Sequence, residues 1–397
     1  MTEYRFIRPL DVLYLRGNAL FGGPGDHGEA LMPPWPSLAA GALRARMLFD
    51  AGVTSFGPRG GPYRKPNGAI GEALGTPDAP GRFRLSRFTL ARRLGGTGGV
   101  EPLFPPPADL SVTPQRSARY LRPTAIDAAG VACSYPLARL PVLRQAAAEK
   151  PLSGCWLTRA GWQCYLAGLP VPESALIDSG QLWTSEARLG IALDPDTRTA
   201  AEGQIYTVDA VALAEGTGFV VGVDGADGLV ASDGVLRFGG DGRGAELTQC
   251  TLDLPKPPWA VIEKERRFRL VLASPGVFRG GWRPDGVGDD GILRIGTMTA
   301  RLVAAAVPRS QVASGWDIAK WAPKPAERVA PTGAVYWFEQ LDGVHDGLRQ
   351  LEGEGFWAAQ PPRDAYAAQR QAEGFNRVFI AAWARDDQGS GEGRKDV

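Results

Sequence analysis

Glycine and proline interrupt this chain so often that few segments are long enough for a long helix. The 397 residues contain 52 glycines and 33 prolines, roughly a fifth of the chain. Glycine supplies the positive φ angles of tight turns, whereas proline ends helices and is excluded from central strands. The sequence therefore predicts many turns and long loops rather than a helical bundle, with a length that suits two or three domains.

A strand followed by a helix is predicted near the start of the chain. Residues 4–15 are apolar enough for an opening strand, and a glycine-rich connection follows over residues 17–28. Three prolines then precede Ser37, which is a plausible N-cap for a helix over residues 37–50. We expect this helix to lie on a sheet through one apolar face. The residues of that face are Leu38, Ala42, Ala45 and Phe49.

Arginines are concentrated in two early segments. On the predicted helix, Arg44 and Arg46 are two positions apart, so only one of them can face a given partner. Residues 81–100 contain five arginines and no acidic residue. Their partial alternation with apolar side chains favours an exposed hairpin. A solvated, flexible insertion fits this segment equally well.

A second domain is predicted to begin near Lys264. Apolar and basic residues alternate over residues 267–272, which is typical of a strand, and the apolar runs 292–297 and 301–307 extend the same sheet. We expect three parts: an N-terminal domain with large insertions over residues 1–260, a C-terminal domain over residues 261–385, and a disordered polar tail over residues 386–397.

Residues 314–338 mix positive charge with aromatic rings. Lys320, Lys324 and Arg328 are spaced by prolines beside the rings, and single-stranded nucleic acid requires both cations for its phosphates and flat faces for its bases. The alternative is a proline-stiffened connection whose tryptophans fill the edge of a core, and we expect that structural role for Trp316. The aromatic residues are Trp316, Trp321, Tyr336 and Trp337.

Two glycine-containing turns are further candidates for contact with phosphate. In the GGDGRG sequence of residues 239–244, Gly239, Gly240 and Gly242 allow close approach of backbone N–H groups, and Arg243 adds charge. The alternative is a tight turn between two strands. In residues 275–284, Trp282 and Arg283 either hold a base and its phosphate or cap a sheet while the arginine faces water.

Residues that would support catalysis are scarce. The two histidines, His27 and His345, belong to no metal-binding motif, and no GxSxG sequence or phosphate-binding P-loop is present. The four cysteines lack zinc-ligand spacing, and no signal peptide or membrane-spanning run is visible, so we expect reduced thiols in the cytoplasm. Because the net charge is +1, nucleic-acid binding requires local patches.

Several segments, taken in order, resemble the RAMP superfamily of CRISPR proteins. Its first strand, loop and helix are similar to LRGNALFGG and PPWPSLAAGALRARM. Its third Cmr (type III-B) subunit resembles this chain in RLGIALDPDTRTAAEGQIYTVD, LRFGGDGRGAEL, FRLVLASPGVFRGGWRP and SGWDIAKWAPKPAERVAPTGAVYWF. The matching segments run from about residue 4 to residue 340. The glycine-rich loop common at the end of RAMP proteins is reduced here to residues 374–376.

The resemblance implies an α+β fold of two ferredoxin-like (RRM-type) domains, with long Gly/Pro/Arg-rich insertions that include a β-hairpin thumb. Residues 81–100 are a candidate for that thumb. It further implies a non-catalytic subunit that binds the 5′ repeat-derived tag of the guide RNA in antiviral defence. The implied partners are the guide RNA, the large polymerase-like subunit and the adjacent backbone RAMP subunits, with target RNA nearby. No cofactor, metal or membrane is implied.

The residues expected at the RNA are Arg16, Arg44, Gly239, Gly240, Arg243, Trp282, Arg283, Lys320 and Lys324. Two other functions stay open. A guide-processing endoribonuclease would need His27, or a tyrosine such as Tyr14 beside an arginine, to activate a 2′-hydroxyl group. A protein-only scaffold would bury its tryptophans against the large subunit.

Overall fold

Two antiparallel sheets with helices beside them form the frame of this α+β protein. The computed structural model describes residues 1–15, 27–28, 30–55, 61–95, 99–125, 134–145, 147, 149–194, 196–343 and 346–384. Its helices are α1 (Pro36–Asp50), α2 (Gly68–Leu74), α3 (Arg159–Leu166), α4 (Trp259–Glu265), α5 (Asp346–Glu354) and α6 (Ala365–Ala372).

The first sheet has six strands in the order β14-β15-β1-β13-β3-β4. Every neighbouring pair in it is antiparallel. Its strands are β1 (Glu3–Pro9), β3 (Arg84–Arg93), β4 (Val100–Pro102), β13 (Thr217–Asp224), β14 (Asp233–Arg237) and β15 (Gly244–Gln249).

The second sheet has five strands in the order β17-β18-β23-β16-β24, and it too is antiparallel throughout. It confirms the strands predicted after Lys264. Its strands are β16 (Phe268–Leu272), β17 (Ile292–Ile295), β18 (Met298–Ala306), β23 (Val335–Asp342) and β24 (Val378–Ala381).

A long hairpin and several short strand pairs complete the described chain. The hairpin consists of β11 (Trp183–Leu193) and β12 (Ala200–Leu213), and the two-residue strand β2 (His27–Gly28) pairs in parallel with β12. The pairs are β5 (Leu110–Val112) with β6 (Ala118–Tyr120), β7 (Arg122–Ala125) with β8 (Arg139–Val142), β9 (Cys155–Leu157) with β10 (Leu176–Asp178), β19 (Gln311–Ala313) with β22 (Glu327–Val329), and β20 (Trp316–Asp317) with β21 (Ala322–Pro323).

Helix α1 lies on the first sheet, as predicted, and two residues of the predicted face, Leu38 and Ala42, contact its core, whereas Ala45 and Phe49 are exposed. Ala39, Leu43 and Met47 are buried in the core with residues of β1, β3 and β13. Phe49, predicted to be buried, is 63% exposed. The helix also begins one residue earlier, because Pro36 occupies its first turn and Trp35, rather than Ser37, is the N-cap.

The arginine-rich segment is neither an exposed thumb nor a flexible insertion. Strand β3 lies inside the first sheet, between β13 and β4, with Leu85 and Leu90 buried. Its arginines are accommodated at the ends and on the second face of the strand, where the guanidinium of Arg93 stacks on Phe6 and that of Arg87 on Phe379. Alternation of basic and apolar residues therefore marked a strand of the sheet here, one that pairs with β13 along its length and with β4 only over its last three residues.

The described part of the insertion between β4 and β11, which spans residues 103–182, packs mainly on one face of the second sheet, while Trp156, Ile177 and Leu182 join the core of the first. Phe104, Trp162 and Tyr165 share a core with Trp337 and Phe379. A salt bridge joins Asp109 of the insertion to Arg269 of β16, and both side chains are fully buried. Helix α5 covers the opposite face of this sheet through Leu348 and Leu351.

A buried network completes the junction between the insertion and the second sheet. The hydroxyl of Tyr165 donates to Asp109 at 2.7 Å. The guanidinium of Arg269 donates to the carbonyl oxygens of Ala382 and Tyr165 at 2.7 and 2.9 Å. Because the buried charges have both a salt-bridge partner and further hydrogen bonds, their desolvation is compensated within the network.

Candidate nucleic-acid interface

A cleft of about 520 Å³ brings three of the predicted cations together. It lies between α1, the turn after α2, the loop that joins β20 to β21, and α6. Arg44, Lys320 and Lys324 line it together with Trp316. We call this feature the lysine cleft.

Lys320 is the most accessible cation of the lysine cleft. Its Nζ lies 2.8 Å from the carboxylate of Asp78, and this hydrogen bond raises the pKa of Lys320. Both side chains are more than half exposed. Exposed ion pairs of this kind contribute little to stability. A phosphate can therefore replace Asp78 as the partner of Lys320 at low cost.

Lys324 has a different environment, because it pairs with the buried carboxylate of Glu373. Arg370 contacts the same carboxylate at 3.1 Å and is itself fully buried. Burial alone would raise the pKa of Glu373, but Lys324, Arg370 and Arg44 together hold it below its usual value. Lys324 thus joins the loop of the lysine cleft to α6, and its charge is partly neutralised inside the protein.

Arg44 forms the deep wall of the lysine cleft. Its Nη1 donates to Gln369 at 3.2 Å, and its guanidinium stacks on Phe83 at 5.1 Å. Burial lowers the pKa of Arg44. Arg46 instead binds Asp50, one turn further along α1, at 2.8 Å. The expectation that only one of these arginines faces a given partner is confirmed.

Trp316 and Trp321 provide aromatic surface beside the lysines. They are 51% and 50% exposed, and their ring centroids lie 5.9 Å apart in an edge-to-face arrangement. The structural role predicted for Trp316 stays a prediction, since half of its surface is covered and the other half is open to a ligand. Tyr336 and Trp337 are buried in β23 and offer no face to a base.

The GGDGRG sequence forms the predicted tight turn between two strands, and the amide of Phe238 donates to the carbonyl of Arg243 at 2.8 Å. The turn lies against Tyr14 rather than in the lysine cleft. Gly240 donates from its amide to the carbonyl of Tyr14 at 2.8 Å, and the backbone of Gly239 has a φ of +89°. The turn thus presents Arg243 at a second location.

Arg243 is held by Asp11 and Tyr14. Its Nη1 lies 2.6 Å from the Asp11 carboxylate, and its guanidinium stacks on the Tyr14 ring at 4.9 Å. Its Nη2 donates to the Tyr14 hydroxyl at 3.4 Å. The nuclease alternative requires such a tyrosine beside an arginine, but Tyr14 is only 8% exposed.

Trp282 and Arg283 lie in the loop between β16 and β17. Trp282 packs against the core of the second sheet, and its carbonyl accepts a hydrogen bond from the Tyr336 hydroxyl at 2.7 Å. Arg283 forms an ion pair with Asp289 at 2.9 Å. These contacts match the sheet-capping alternative, and neither residue lines the lysine cleft.

Sequence analysis missed the acidic partners of the predicted cations. Asp78 and Glu373 lie far along the chain from Lys320 and Lys324, and no local pattern marks either one. Arg16, His345 and the side chain of His27 fall outside the described residues, as does the tail after residue 384. The described part of the chain contains no cluster of three or more metal-ligating side chains and no helix that could cross a membrane.

The fold and the lysine cleft define an α+β protein with a cationic, tryptophan-bearing surface. The model of the family described as CRISPR-associated protein (Cas_Cmr3) matches residues 5–383. The chain therefore belongs to this family, as the resemblance predicted.

Solved structures include two similar chains, each 16% identical to this one with a TM-score of 0.45. Each alignment covers 84% of this chain and 86% of the other. One is from a cryo-EM structure of the type III-B Cmr-beta complex bound to cognate target RNA, and the other from that complex bound to cognate target RNA and AMPPnP. Comparison with curated proteins finds no match.

Proposed function

We propose that this protein is a non-catalytic, RNA-binding subunit of a cytoplasmic type III-B CRISPR effector, and that it binds the 5′ tag of the guide RNA. Membership of the Cas_Cmr3 family supports the assignment to this effector. The single observation that carries RNA binding is the lysine cleft, where exposed Lys320 lies beside two half-exposed tryptophans. Such side chains bind phosphates and stack on splayed bases.

We also infer two ferredoxin-like units. In each sheet, four strands follow the spatial order fourth-first-third-second of that fold. These are β15-β1-β13-β3 in the first sheet and β24-β16-β23-β18 in the second. Helices occupy only one crossover in each unit, with α1 and α2 in the first crossover of one and α5 and α6 in the second crossover of the other.

The β11–β12 hairpin is the better candidate for the thumb. Leu189, Ile191 and Leu193 alternate along β11, and Ile205 pairs with Ile191 across the hairpin. All four side chains are exposed, and that of Leu189 is 74% exposed. An unpartnered apolar stripe on a two-stranded arm marks an interaction surface. In this proposal the arm reaches toward the duplex of guide and target RNA.

Arg243 would support the RNA near the base of that arm. Arg188 of β11 interacts with the same tyrosine, Tyr14, that Arg243 covers. The two arginines, whose present partners are the exposed carboxylates of Asp11 and Glu186, thus both lie at Tyr14 beside the hairpin. We infer that this region, together with the arm, faces the large subunit and the adjacent backbone subunits.

The salt dependence of tag binding tests the proposal. Lys320→Ala should weaken the binding of a tag oligoribonucleotide by several-fold and reduce the slope of log K against log salt by about 0.7, the value for one lost phosphate contact on a single strand. Trp316→Ala should weaken binding without changing that slope. Fluorescence anisotropy from 50 to 300 mM salt, roughly the range in which such contacts are screened, measures both effects.

Lys264→Ala is the matched control, since Lys264 is an exposed lysine of α4 outside the lysine cleft. It should leave affinity and slope unchanged. Arg243→Ala is measured in the same series. Weaker binding with a smaller salt slope would place the Arg243 region at the RNA, and unchanged binding would exclude it. Equal affinity of wild type and Lys320→Ala at every salt concentration would exclude the lysine cleft as the tag site.

A further inference from the structure

A second cavity, of about 150 Å³, lies between the two sheets. Strand β3 and the prolines before α1 line it from the first sheet, and the end of β16 and the start of β24 line it from the second. Its walls are mostly apolar and include Phe88, Phe104 and Phe379. We call it the inter-sheet cavity.

Buried hydrogen-bond donors without a partner converge on the inter-sheet cavity. In the described chain, six buried side-chain nitrogen or oxygen atoms lack a hydrogen-bond partner, and five of them belong to residues that line this cavity. Four of the five are N–H groups, and the fifth is a hydroxyl group that can also donate. An unpaired buried donor is costly, so such a concentration points to an absent acceptor. The atoms are Trp35 Nε1, Ser86 Oγ, Arg87 Nε, Trp162 Nε1 and Arg377 Nε.

Two of these residues, Arg87 and Arg377, carry charge without a direct carboxylate contact, and Asp224, Glu352 and Glu354 act on them only from a longer range. Arg269 and Arg370 are buried in direct contact with carboxylates. No described carboxylate forms such a salt bridge with Arg87 or with Arg377, which is 5% exposed. Their Nη1 atoms donate only to the carbonyl oxygens of Ser86 and Gly353. Burial lowers the pKa of both, and with repulsion from Arg87 it brings the pKa of Arg377 to about 10.

A bulge in β3 helps to place these donors. Gly222 of β13 pairs with Arg87 and Val223 pairs with Leu85, so Ser86 is an additional residue without a partner in the ladder. Bulges of this kind re-aim side chains and are frequent beside functional sites. Here the bulge lets consecutive residues of one strand, Ser86 and Arg87, both line the cavity.

We propose that the inter-sheet cavity binds an oxyanion of the phosphate type, held by the guanidinium groups of Arg87 and Arg377 and by the indole N–H of Trp162. A phosphate has at least two unprotonated oxygens that only accept hydrogen bonds, which suits a site whose free groups donate. Water would have to donate its own hydrogens into apolar walls. Charge-assisted bonds from arginine to phosphate are also strong in a site with so little solvent. This site is separate from the lysine cleft.

Stabilisation by inorganic phosphate tests the proposal. Relative to sodium chloride at equal ionic strength and pH, saturating phosphate should raise the Tm of the full chain by about 2 °C or more, because a ligand that binds only the folded state stabilises it. Isothermal titration calorimetry should show saturable binding. Arg87→Gln and Arg377→Gln should abolish both effects. Without phosphate, the stability of these variants should stay close to that of wild type, since neither substitution breaks a direct salt bridge.

Arg309→Gln is the matched control, because Arg309 is exposed outside the cavity, and it should keep the full response. If an arginine variant fails to fold, Trp162→Phe removes the indole N–H donor and should weaken phosphate binding several-fold. An oligoribonucleotide that displaces phosphate would assign the anion to the RNA backbone, whereas one that does not would assign it to a free ion. Equal effects of phosphate and chloride, or an unchanged response in Arg87→Gln, would overturn the proposal.

Discussion

Glu373 organises the lysine cleft, because three cations converge on this one buried carboxylate. Lys324 comes from the cleft loop, Arg370 from α6 and Arg44 from α1. Arg370 would keep its second partner, Glu327, but Lys324 would lose its only carboxylate contact among the described residues, and removal of a partner from a buried pair is strongly destabilising. The exposed surface of the cleft therefore depends on a carboxylate that does not itself reach solvent.

Glu373→Gln should lower the free energy of unfolding at pH 7 by about 3 kcal/mol, the magnitude expected for breaking a buried ion pair. Because the pKa of Glu373 is held below its unfolded value of 4.5, its contribution is complete above that value and is lost as the pH falls through the lower folded value. Denaturant unfolding from pH 7 to pH 3 should show the difference from wild type shrinking below pH 4.5. A constant difference would contradict this role.

At the scale of elements, strand β3 and the β11–β12 hairpin show that the residue types of a strand do not determine whether it is exposed. Strand β3 carries enough charge to look exposed, yet it belongs to the first sheet and buries Leu85 and Leu90. Strands β11 and β12 carry a row of apolar residues that looks like core, yet that row is exposed. A local pattern shows that a strand alternates, but which face is covered depends on partners elsewhere in the chain.

The apolar row on the β11–β12 hairpin should matter for assembly and not for folding. Leu189→Ser combined with Ile205→Ser should change the Tm of the subunit little, since exposed side chains contribute little to stability. The assembled complex should bind cognate target RNA more weakly, while the affinity of the isolated subunit for tag RNA stays unchanged. Leu140→Ser, at an exposed leucine of β8, is the control. Unaltered target binding would remove the hairpin as the thumb.

At the scale of the whole molecule, segments that follow the strands of each sheet pack against the other sheet. Residues 103–182 leave the first sheet and cover a face of the second. In return, Gly374 lies so close to β3 that a Cβ added there would be 2.7 Å from the carbonyl oxygen of Leu85. The predicted division at residues 260 and 261 thus separates strands of the two sheets but crosses a shared core.

The Asp109–Arg269 pair should be essential to that junction. Asp109→Ala leaves the guanidinium of Arg269 buried without its carboxylate and should destabilise the protein by about 3–5 kcal/mol in urea unfolding followed by circular dichroism. The double variant Asp109→Leu with Arg269→Met should recover much of the loss, because no unpaired charge remains. Asp253→Ala, which breaks an exposed pair with Arg159, should change stability little. Equal effects of Asp109→Ala and Asp253→Ala would contradict the argument.

Sequence reasoning predicted the parts of the fold that local patterns determine. Helix α1, strands β16 to β18 and the turn before β15 all lie where periodicity and glycine placed them. The lysine cleft was predicted only in part, since its cations Arg44, Lys320 and Lys324 were expected at the RNA, whereas Asp78 and Glu373 come from distant segments that no local pattern marks. The burial of Tyr336 and the exposure of Trp316 depend on strand pairing across the sheet, which residue types do not reveal.

The shared core has a consequence for how the chain is made. A ribosome synthesises the roughly two hundred residues between Leu182 and Trp383 in about 10 to 40 s, at 5 to 20 residues per second. During that interval Phe104, Trp162 and Tyr165 have been translated, but β24, which completes the sheet they pack against, has not. The apolar face of the insertion therefore stays exposed to water until β24 is synthesised. A transcript truncated before β24 yields a chain that lacks part of this core.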